Sequence, residues 1–196
     1  NRTKTIGIII PELNNIFCAE IITEVEDVLR NHGYATMICD CRTDAAREAE
    51  AVEFLSRRRV DGLILMPSGK SGKHLERFLY VGKPVVLIDR NLEDVSCDSV
   101  LVDNRGAAQA AVERLFLAGH RKIGMIAGPE HVFTARERYL GYEEAFKKAG
   151  IEVQDSLVVH GDYTIAGGAR AMQQLVEGNP KITAVFVSNY EMTVGA

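Results

Sequence analysis

Two segments of this chain, TIGII at residues 5–9 and KIGMI at residues 122–126, are variants of one apolar sequence. Their glycines are 117 positions apart, and the same spacing separates Gly33 from Gly150, which each follow a helical pattern. A third pair, VDGLIL at residues 60–65 and ITAVFV at residues 182–187, follows at a similar distance. The chain is therefore predicted to contain two copies of one α/β unit, an arrangement that places ligand sites beside the ends of strands.

Strand patterns and helix patterns alternate along the whole chain. Residues 5–10 form a continuous apolar run that ends at Pro11, which is typical of a strand buried in a parallel sheet. Apolar residues then recur at helical spacing between Ile21 and Leu29, before Gly33. Further strands are predicted at residues 35–39, 62–66, 85–88, 100–102, 122–127, 157–159 and 184–187. This alternation predicts an α/β fold with two Rossmann-like parallel-sheet subdomains.

A polar stretch at residues 91–99 is the best candidate for a crossover between the two units. It divides the chain into an N-terminal subdomain at residues 1–98 and a C-terminal subdomain at residues 99–196. The sequence ends in what resembles the first turn of another helix, with no following strand for that helix to pack beside. We therefore expect the second subdomain to be C-terminally truncated and the natural protein to continue.

Charge and hydropathy limit the partners of the chain. Its net charge is −4, and its only basic run, at residues 57–59, falls where a helix is predicted to end and where cations favour the helix dipole. A protein that grips a phosphate backbone by itself needs a concentrated basic face. No apolar run approaches the roughly 18 residues that cross a bilayer, and the first residues lack a secretory signal. These features indicate a cytoplasmic protein without a membrane partner, or one whose signal has been removed.

Four cysteines lie in the first half of the chain: Cys18, Cys39, Cys41 and Cys97. Cys39 and Cys41 are two positions apart on a strand pattern, so their side chains point to one face. A zinc site needs four ligands, and no second Cys or His pair at metal spacing supplies the other two. Unpaired thiols in a reducing compartment are the better interpretation, and no metal or cofactor is predicted.

Catalytic motifs are absent from the sequence. No G-x-G-x-x-G follows a strand, and the Gly-Lys pairs at residues 69–70 and 72–73 lack the spacing of a phosphate-binding loop. No G-x-S-x-G segment occurs. His32 and His120 adjoin glycines that end helical patterns, which favours roles at helix C-termini over catalysis. We predict that the protein is not an enzyme.

Polar and aromatic residues follow most of the predicted strands. In an open parallel sheet, ligands contact residues just past the carboxyl ends of the strands. The segments at these positions are residues 11–17, 40–42, 67–68, 89–90, 128–138, 161–163 and 188–190. Their carboxylates, arginines, amides and aromatic rings suit a polyhydroxylated ligand. The alternative is that individual side chains only solvate their loops.

Several segments resemble the effector-binding core of the lactose-repressor (LacI) family of bacterial transcription regulators. In chain order they are TKTIGIIIP at residues 3–11, VDGLI at 60–64, PVVLIDR at 84–90, AGHRKI at 118–123, AGP at 127–129 and RYLGY at 138–142. The ordered set is more specific than any one segment, although sugar-binding proteins of ribose-type transporters share many of them. The resemblance implies a type I periplasmic-binding-protein fold, in which two α/β subdomains hinge around an effector.

The resemblance also implies which residues bind the ligand. Seven positions match residues that line the family's pocket: Asn15, Phe17, Arg42, Asp89, Arg138, Tyr163 and Asn189. Asp89 is expected to bind effector hydroxyls, Arg138 to make a forked contact, and Tyr163 to lie beside the ligand ring. The segment NYEMT at residues 189–193 departs from the family's pattern, in which an acidic residue directly follows the asparagine.

The function implied by the resemblance is that of an effector-sensing core. It would bind a small sugar or related metabolite in the cleft between the subdomains and control operator binding allosterically. The family's DNA-binding headpiece, which reads the operator as a dimer, is absent from this chain. A homodimer is expected, with residues 22–30 as a candidate interface, although Val25 and Val28 are predicted to be core residues. The alternative is a solute-binding protein of a ribose-type sugar ABC transporter, which an upstream signal peptide would indicate.

Overall fold

The computed structural model describes residues 2–92 and 94–196. The chain divides into two compact units, Asn1–Val102 and Asp103–Ala196. The boundary predicted between residues 98 and 99 lies inside the last strand of the first unit, Asp98–Val100. In each unit parallel strands alternate with helices, which confirms the predicted α/β class with two parallel sheets.

The first unit contains a five-stranded parallel sheet in the order β2-β1-β3-β4-β5. Its strands are β1 (Thr5–Ile10), β2 (Ala35–Asp40), β3 (Gly62–Leu65), β4 (Val85–Ile88) and β5 (Asp98–Val100). The prediction of a strand at residues 100–102 in the second half was wrong, because Asp98 pairs with Val86 and Val100 pairs with Ile88. All three residues of β5 are exposed, so no apolar pattern marks this edge strand.

Three helices surround this sheet: α1 (Ile16–Asn31), α2 (Ala45–Arg57) and α3 (Glu76–Tyr80), the last preceded by a 3-10 turn at Lys73–Leu75. The α2 helix is capped by Asp44, whose Oδ1 accepts hydrogen bonds from the amides of Ala46 and Arg47 at 2.8 and 3.1 Å. The α1 helix ends at His32, whose Nδ1 lies 2.8 Å from the carbonyl oxygen of Val28.

Side chains of β1 alternate between the two apolar layers of the first unit. Ile9 packs with Leu55 and Phe78 against α2 and α3, whereas Ile8 and Ile10 lie in the layer beneath α1. This two-sided burial explains why β1 is apolar continuously from residue 6 to residue 10 rather than at alternate positions.

One residue of α1 departs from its predicted burial. Val25 packs against the layer beneath α1, as expected, but Val28 is 58% exposed, so its prediction as a core residue was wrong. Val28 follows Val25 by three helical positions, a rotation of about 300°, so the two side chains point about 60° apart around the helix axis. Because the apolar stripe of α1 is narrow, this offset places Val28 outside the contact with the sheet. The edge strand β2 also exposes Ile38.

The second unit contains three parallel strands among the described residues, β6 (Ile123–Ala127), β7 (Val158–His160) and β8 (Ala184–Val187), in the order β7-β6-β8. Its helices are α4 (Asn104–Leu117), α5 (Phe133–Lys148), α6 (Ile165–Gly178) and α7 (Tyr190–Gly195). Met125 faces the layer of α4 and α5, and Ile126 faces the layer of α6 and α7. No helix formed by residues 2–92 or 94–196 is long and apolar enough to span a membrane.

The repeated glycines occupy equivalent structural positions in the two units. Gly33 and Gly150 follow α1 and α5 with φ of 73° and 69°, a conformation that glycine adopts without a steric penalty. In the central strands, a Cβ atom added at Gly7 would lie 2.7 Å from Leu55 Cδ1, and one at Gly124 would lie 2.7 Å from Leu175 Cδ2. Each central strand therefore needs a glycine where a leucine of a neighbouring helix packs onto it.

Candidate functional site

In the first unit, the loop after β1 carries Asn15 and Phe17 into the first turn of α1. Asn15 Oδ1 accepts hydrogen bonds from the amides of Phe17 and Cys18 at 3.0 and 3.2 Å, so this side chain caps the helix. The Phe17 side chain is 44% exposed although it is apolar. Asn15 therefore fixes the turn, and the exposed Phe17 ring offers an apolar surface at the carboxyl edge of the sheet.

Arg42 follows β2 in an unusual backbone conformation. Its φ is +51°, and that of Thr43 is +57°, values that non-glycine residues seldom adopt. The Arg42 amide donates to Asp40 Oδ1 at 2.9 Å, and the Leu13 amide donates to Asp40 Oδ2 at 3.4 Å. Asp40 thus joins the loop after β1 to the loop after β2, while the Arg42 side chain is exposed.

Asp89 follows β4 and is positioned by its neighbours. Its φ is +68°, and its amide donates to the carbonyl oxygen of Val100 at 3.0 Å. The Asp89 carboxylate lies 3.7 Å from Arg90 Nε, and both side chains are only 15% exposed. Arg90 Nη1 in turn donates to the carbonyl oxygen of Pro67 at 3.0 Å. The carboxylate is thus held in a nearly buried position beside a guanidinium at the end of the sheet.

Cys18 lies in the same first turn of α1 and is 4% exposed. Burial raises the pKa of its thiol to about 11, with a smaller contribution from the negative charge of Asp89. The thiol is therefore neutral at pH 7 and behaves as a small apolar group. The four cysteines carry no disulfide, and the described residues contain no group of three or more His, Cys, Asp or Glu side chains placed to hold a metal ion.

In the second unit, Arg138 of α5 joins two other elements. Its Nε donates to Asn104 Oδ1 at 2.8 Å, and its Nη1 donates to the carbonyl oxygen of Ser188 at 2.6 Å. Asn104 begins α4 and Ser188 follows β8, and each is only 5% exposed. These bonds use two of the five N–H donors of the guanidinium and fix its plane.

Tyr163 follows β7 and packs over the chain after β6. Its φ is +64°, and its ring is partly buried against the layer that contains Ile126 and Met192. The ring lies so close to Gly128 that any side chain at position 128 would overlap it. His160 also contacts this glycine, with Nδ1 3.0 Å from the Gly128 carbonyl oxygen. The Tyr163 ring, Gly128 and His160 therefore form one cluster at the carboxyl end of the sheet.

Asn189 caps α7, the helix whose first residues depart from the family's pattern. Its Oδ1 accepts from the Met192 amide at 3.1 Å, and its Nδ2 donates to Glu191 Oε2 at 2.6 Å. Tyr190, which stands where an acidic residue is usual, is 67% exposed. In this chain the carboxylate that engages Asn189 is that of Glu191.

In the second unit, three buried polar residues were not among the seven predicted positions: Asn104, Thr134 and Ser188, each at most 5% exposed. Two of them bind Arg138, and Thr134 lies one helical turn before it on α5, on the same face. Ser188 falls in a predicted strand-end segment, so strand ends could have indicated it. Asn104 follows its own helix cap, Asp103, and nothing in the local sequence marks it.

Comparisons with known proteins agree with this arrangement. The family model described as "Periplasmic binding proteins and sugar binding domain of LacI family" matches residues 3–196. The HTH-type transcriptional repressor CytR of Escherichia coli (strain K12) is 33% identical over 199 residues, which cover 100% of this chain and 58% of that protein. The ribose operon repressor of the same organism is 33% identical over 198 residues, which cover 100% of this chain and 59% of that protein.

A similar solved structure is that of the Cra transcriptional dual regulator from Pseudomonas putida in complex with fructose 1-phosphate. Its TM-score to this chain is 0.89 at 26% sequence identity, over 99% of this chain and 72% of that chain. The fold is thus that of the periplasmic-binding-protein class, as expected from the sequence. The chain belongs to the LacI family and corresponds to its effector-binding core. It spans 58% of the length of CytR.

Proposed function

We propose that this chain is the effector-sensing core of a cytoplasmic LacI-type transcription regulator whose effector is a small sugar or related metabolite. The observation that carries the proposal is the guanidinium of Arg138, which is fixed at 2.8 Å from Asn104 Oδ1 and 2.6 Å from the Ser188 carbonyl oxygen. A donor group fixed in advance binds a hydroxyl, a ring oxygen or a phosphate with little further loss of side-chain entropy. The names of the ribose operon repressor and of the fructose 1-phosphate complex of Cra support this class of effector.

Both units would contribute ligand contacts with distinct chemical roles. In the first unit, Asp89 accepts hydrogen bonds from hydroxyl groups, and Phe17 covers an apolar face of the ligand. In the second unit, Arg138 donates and Tyr163 lies against the ring. The remaining proposed contacts are polar and stand at strand ends: Asn15, Arg42 and Asn189.

The regulatory step would be a shift between two populations of the protein. An effector that binds one conformation more tightly shifts the equilibrium by its difference in affinity, and this shift changes operator binding. DNA contact would come from a headpiece outside this chain, as the HTH-type name of CytR suggests for the family. A homodimer would use the exposed side of α1 and β2, where Val28 and Ile38 are 58% and 44% exposed.

The alternative function is that of a solute-binding protein of a ribose-type sugar ABC transporter. The description of the matching family includes periplasmic binding proteins as well as LacI domains. Full-chain similarity to two repressors favours the regulator, and neither relative is named as an enzyme. The coding sequence upstream of residue 1 separates the two functions, since a helix-turn-helix supports the regulator and a signal peptide supports the transporter component.

Ligand binding by the full-length protein tests the proposal. A thermal-shift screen with ribose, cellobiose, fructose 1-phosphate and nucleosides identifies the effector, and calorimetry then measures its affinity. Asp89→Ala and Arg138→Ala are each expected to weaken binding by on the order of tenfold or more, the effect of losing a hydrogen bond to a charged group. Asp98→Ala, on the exposed edge strand β5, is the control and should bind normally. Unchanged affinity in both site variants would reject the proposed contacts.

A further inference from the structure

A fully buried carboxylate lies behind the strand-end residues of the first unit. Glu48, in the first turn of α2, is 0% exposed. Its Oε2 accepts a hydrogen bond from the Ser68 amide at 2.5 Å, and its Oε1 lies 2.8 Å from His74 Nε2. The second contact has the distance of an ion pair but not the angles of a hydrogen bond. A buried carboxylate is retained without a large penalty only when it is engaged in this way.

A continuous set of contacts connects Glu48 with Asp89. Ser68 directly follows Pro67, whose carbonyl oxygen accepts from Arg90 Nη1 at 3.0 Å. The Nε of the same guanidinium lies 3.7 Å from Asp89 Oδ2. Glu48 thus fixes the chain after β3, that chain anchors Arg90, and Arg90 lies beside the carboxylate of Asp89.

The strand end at Asp89 needs such support. Its φ of +68° is disfavoured for a residue with a side chain, so the conformation persists only where surrounding contacts hold it. The segment after β3 is held at one more point, because Ser68 Oγ lies 3.1 Å from Cys41 Sγ, which itself donates to the Ile10 carbonyl oxygen at 3.0 Å. Glu48 is the only charged residue among the buried described side chains. Movement of this segment would remove the hydrogen bond from Ser68 and leave a buried carboxylate without that donor, which is costly.

We propose that Glu48 is a positioning residue for effector recognition, which acts through Ser68, Pro67 and Arg90 to hold the Asp89 carboxylate. The inference rests on the proposed function only in taking Asp89 as an effector contact. The positioning itself is a property of the unliganded first unit.

Solution NMR of the ¹⁵N-labelled chain without ligand tests the positioning. Glu48→Ala is expected to speed solvent exchange of the Ser68 amide by on the order of tenfold and to shift the signals of Arg90 Nε–H and the Asp89 amide, because a buried hydrogen bond is lost. Glu48→Gln keeps one acceptor oxygen for the Ser68 amide and should restore most of the exchange protection.

Val52→Ala is the matched control, because Val52 is 4% exposed one turn further along α2 and its apolar side chain forms no hydrogen bond. It should lower the unfolding temperature and leave the Arg90 Nε–H signal in place. If Glu48→Ala does not fold, Glu48→Asp decides, since its shorter side chain no longer reaches the Ser68 amide and should still shift that signal. Unshifted Arg90 and Asp89 signals in the folded Glu48→Ala or Glu48→Asp variant, or an equal shift in Val52→Ala, would overturn the proposal.

Calorimetry on the full-length protein with fructose 1-phosphate and ribose separates this inference from the proposed function. Weaker binding in Glu48→Ala together with shifted Arg90 signals supports both. Shifted signals with unchanged binding of a ligand that the wild type binds would reject Asp89 as an effector contact and leave the positioning by Glu48 intact.

Discussion

Arg138 is held by acceptors that are distant in sequence. The Asn104 side chain and the Ser188 carbonyl lie 34 and 50 positions away, and both are almost inaccessible to water. A buried acceptor that loses its donor costs more than an ordinary hydrogen bond contributes. The guanidinium therefore serves the stability of the second unit as well as the proposed ligand contact.

Arg138→Lys is expected to lower both effector affinity and stability. Lysine keeps the positive charge but cannot reach two acceptors with one planar group, so at least one buried oxygen loses its partner, at a cost of about 1–3 kcal/mol in the free energy of unfolding. Urea unfolding measures this cost. Arg136→Lys, at an exposed position of the same helix, is the control and should change the unfolding free energy by less than about 0.5 kcal/mol. Equal effects of the two substitutions would contradict this account.

Gly128 limits the position of the Tyr163 ring. Gly128→Ala places a Cβ in the space of the ring, so Tyr163 must move, and overpacking of this kind costs about 1–3 kcal/mol. We expect a lower unfolding temperature together with weaker effector binding. Gly178→Ala is the control, because a Cβ there meets no atom within 4 Å, and it should be neutral or slightly stabilising. A neutral Gly128→Ala variant would show that the ring can move aside freely.

At the scale of the elements, the carboxylate of Asp61, which directly precedes β3, binds the chain just before β1. Asp61 Oδ1 accepts from the Thr3 amide at 2.9 Å, and Oδ2 accepts from the Lys4 amide at 2.9 Å. These hydrogen bonds hold the pKa of the Asp61 carboxyl below its ordinary value of 3.8. The aspartate of the VDGLI segment thus joins the start of the central strand to the strand beside it.

This contact predicts a pH dependence with a definite sign. Because the pKa of Asp61 is lower in the folded state than in the unfolded state, its stabilising contribution is complete above the unfolded pKa and is lost as the pH falls through the folded pKa. Asp61→Asn should therefore lower the free energy of unfolding at pH 7. Below about pH 4, the free energy of unfolding of this variant should fall less steeply with decreasing pH than that of the wild type. Asp27→Asn, on the exposed side of α1, controls for the change in net charge. Identical acid-unfolding curves for the wild type and Asp61→Asn would refute the prediction.

Local sequence predicts the elements of this fold better than the contacts of its site. β1, β4 and β8 begin and end where their apolar runs predict, at residues 5–10, 85–88 and 184–187. β5 was misplaced because its residues are exposed and only its pairing with β4 defines it. The partners of Arg138 and Glu48 come from other elements, so spacing along the chain does not reveal them.

At the scale of the whole molecule, the proposed homodimer would cover exposed apolar side chains of α1 and β2. Val28→Glu is expected to shift the full-length protein from dimer to monomer in analytical ultracentrifugation, because a charge would be buried at the proposed interface. The unfolding temperature of the separated subunit should hardly change, since Val28 is already 58% exposed. Leu117→Glu, at the 80% exposed end of α4, is the control and should leave the dimer intact. A dimer that persists in Val28→Glu would place the interface elsewhere.

The fit of a leucine over a strand glycine occurs once in each unit, at Gly7 beneath Leu55 and at Gly124 beneath Leu175. In both units a Cβ atom added to the glycine would lie 2.7 Å from a Cδ atom of the leucine, although most other residues of the two halves differ. The same packing contact between a helix and its central strand thus occurs in both units. The two glycine positions should therefore tolerate mutation to the same degree. When a library of all substitutions is selected for folded protein, the same substitutions should be lost at positions 7 and 124.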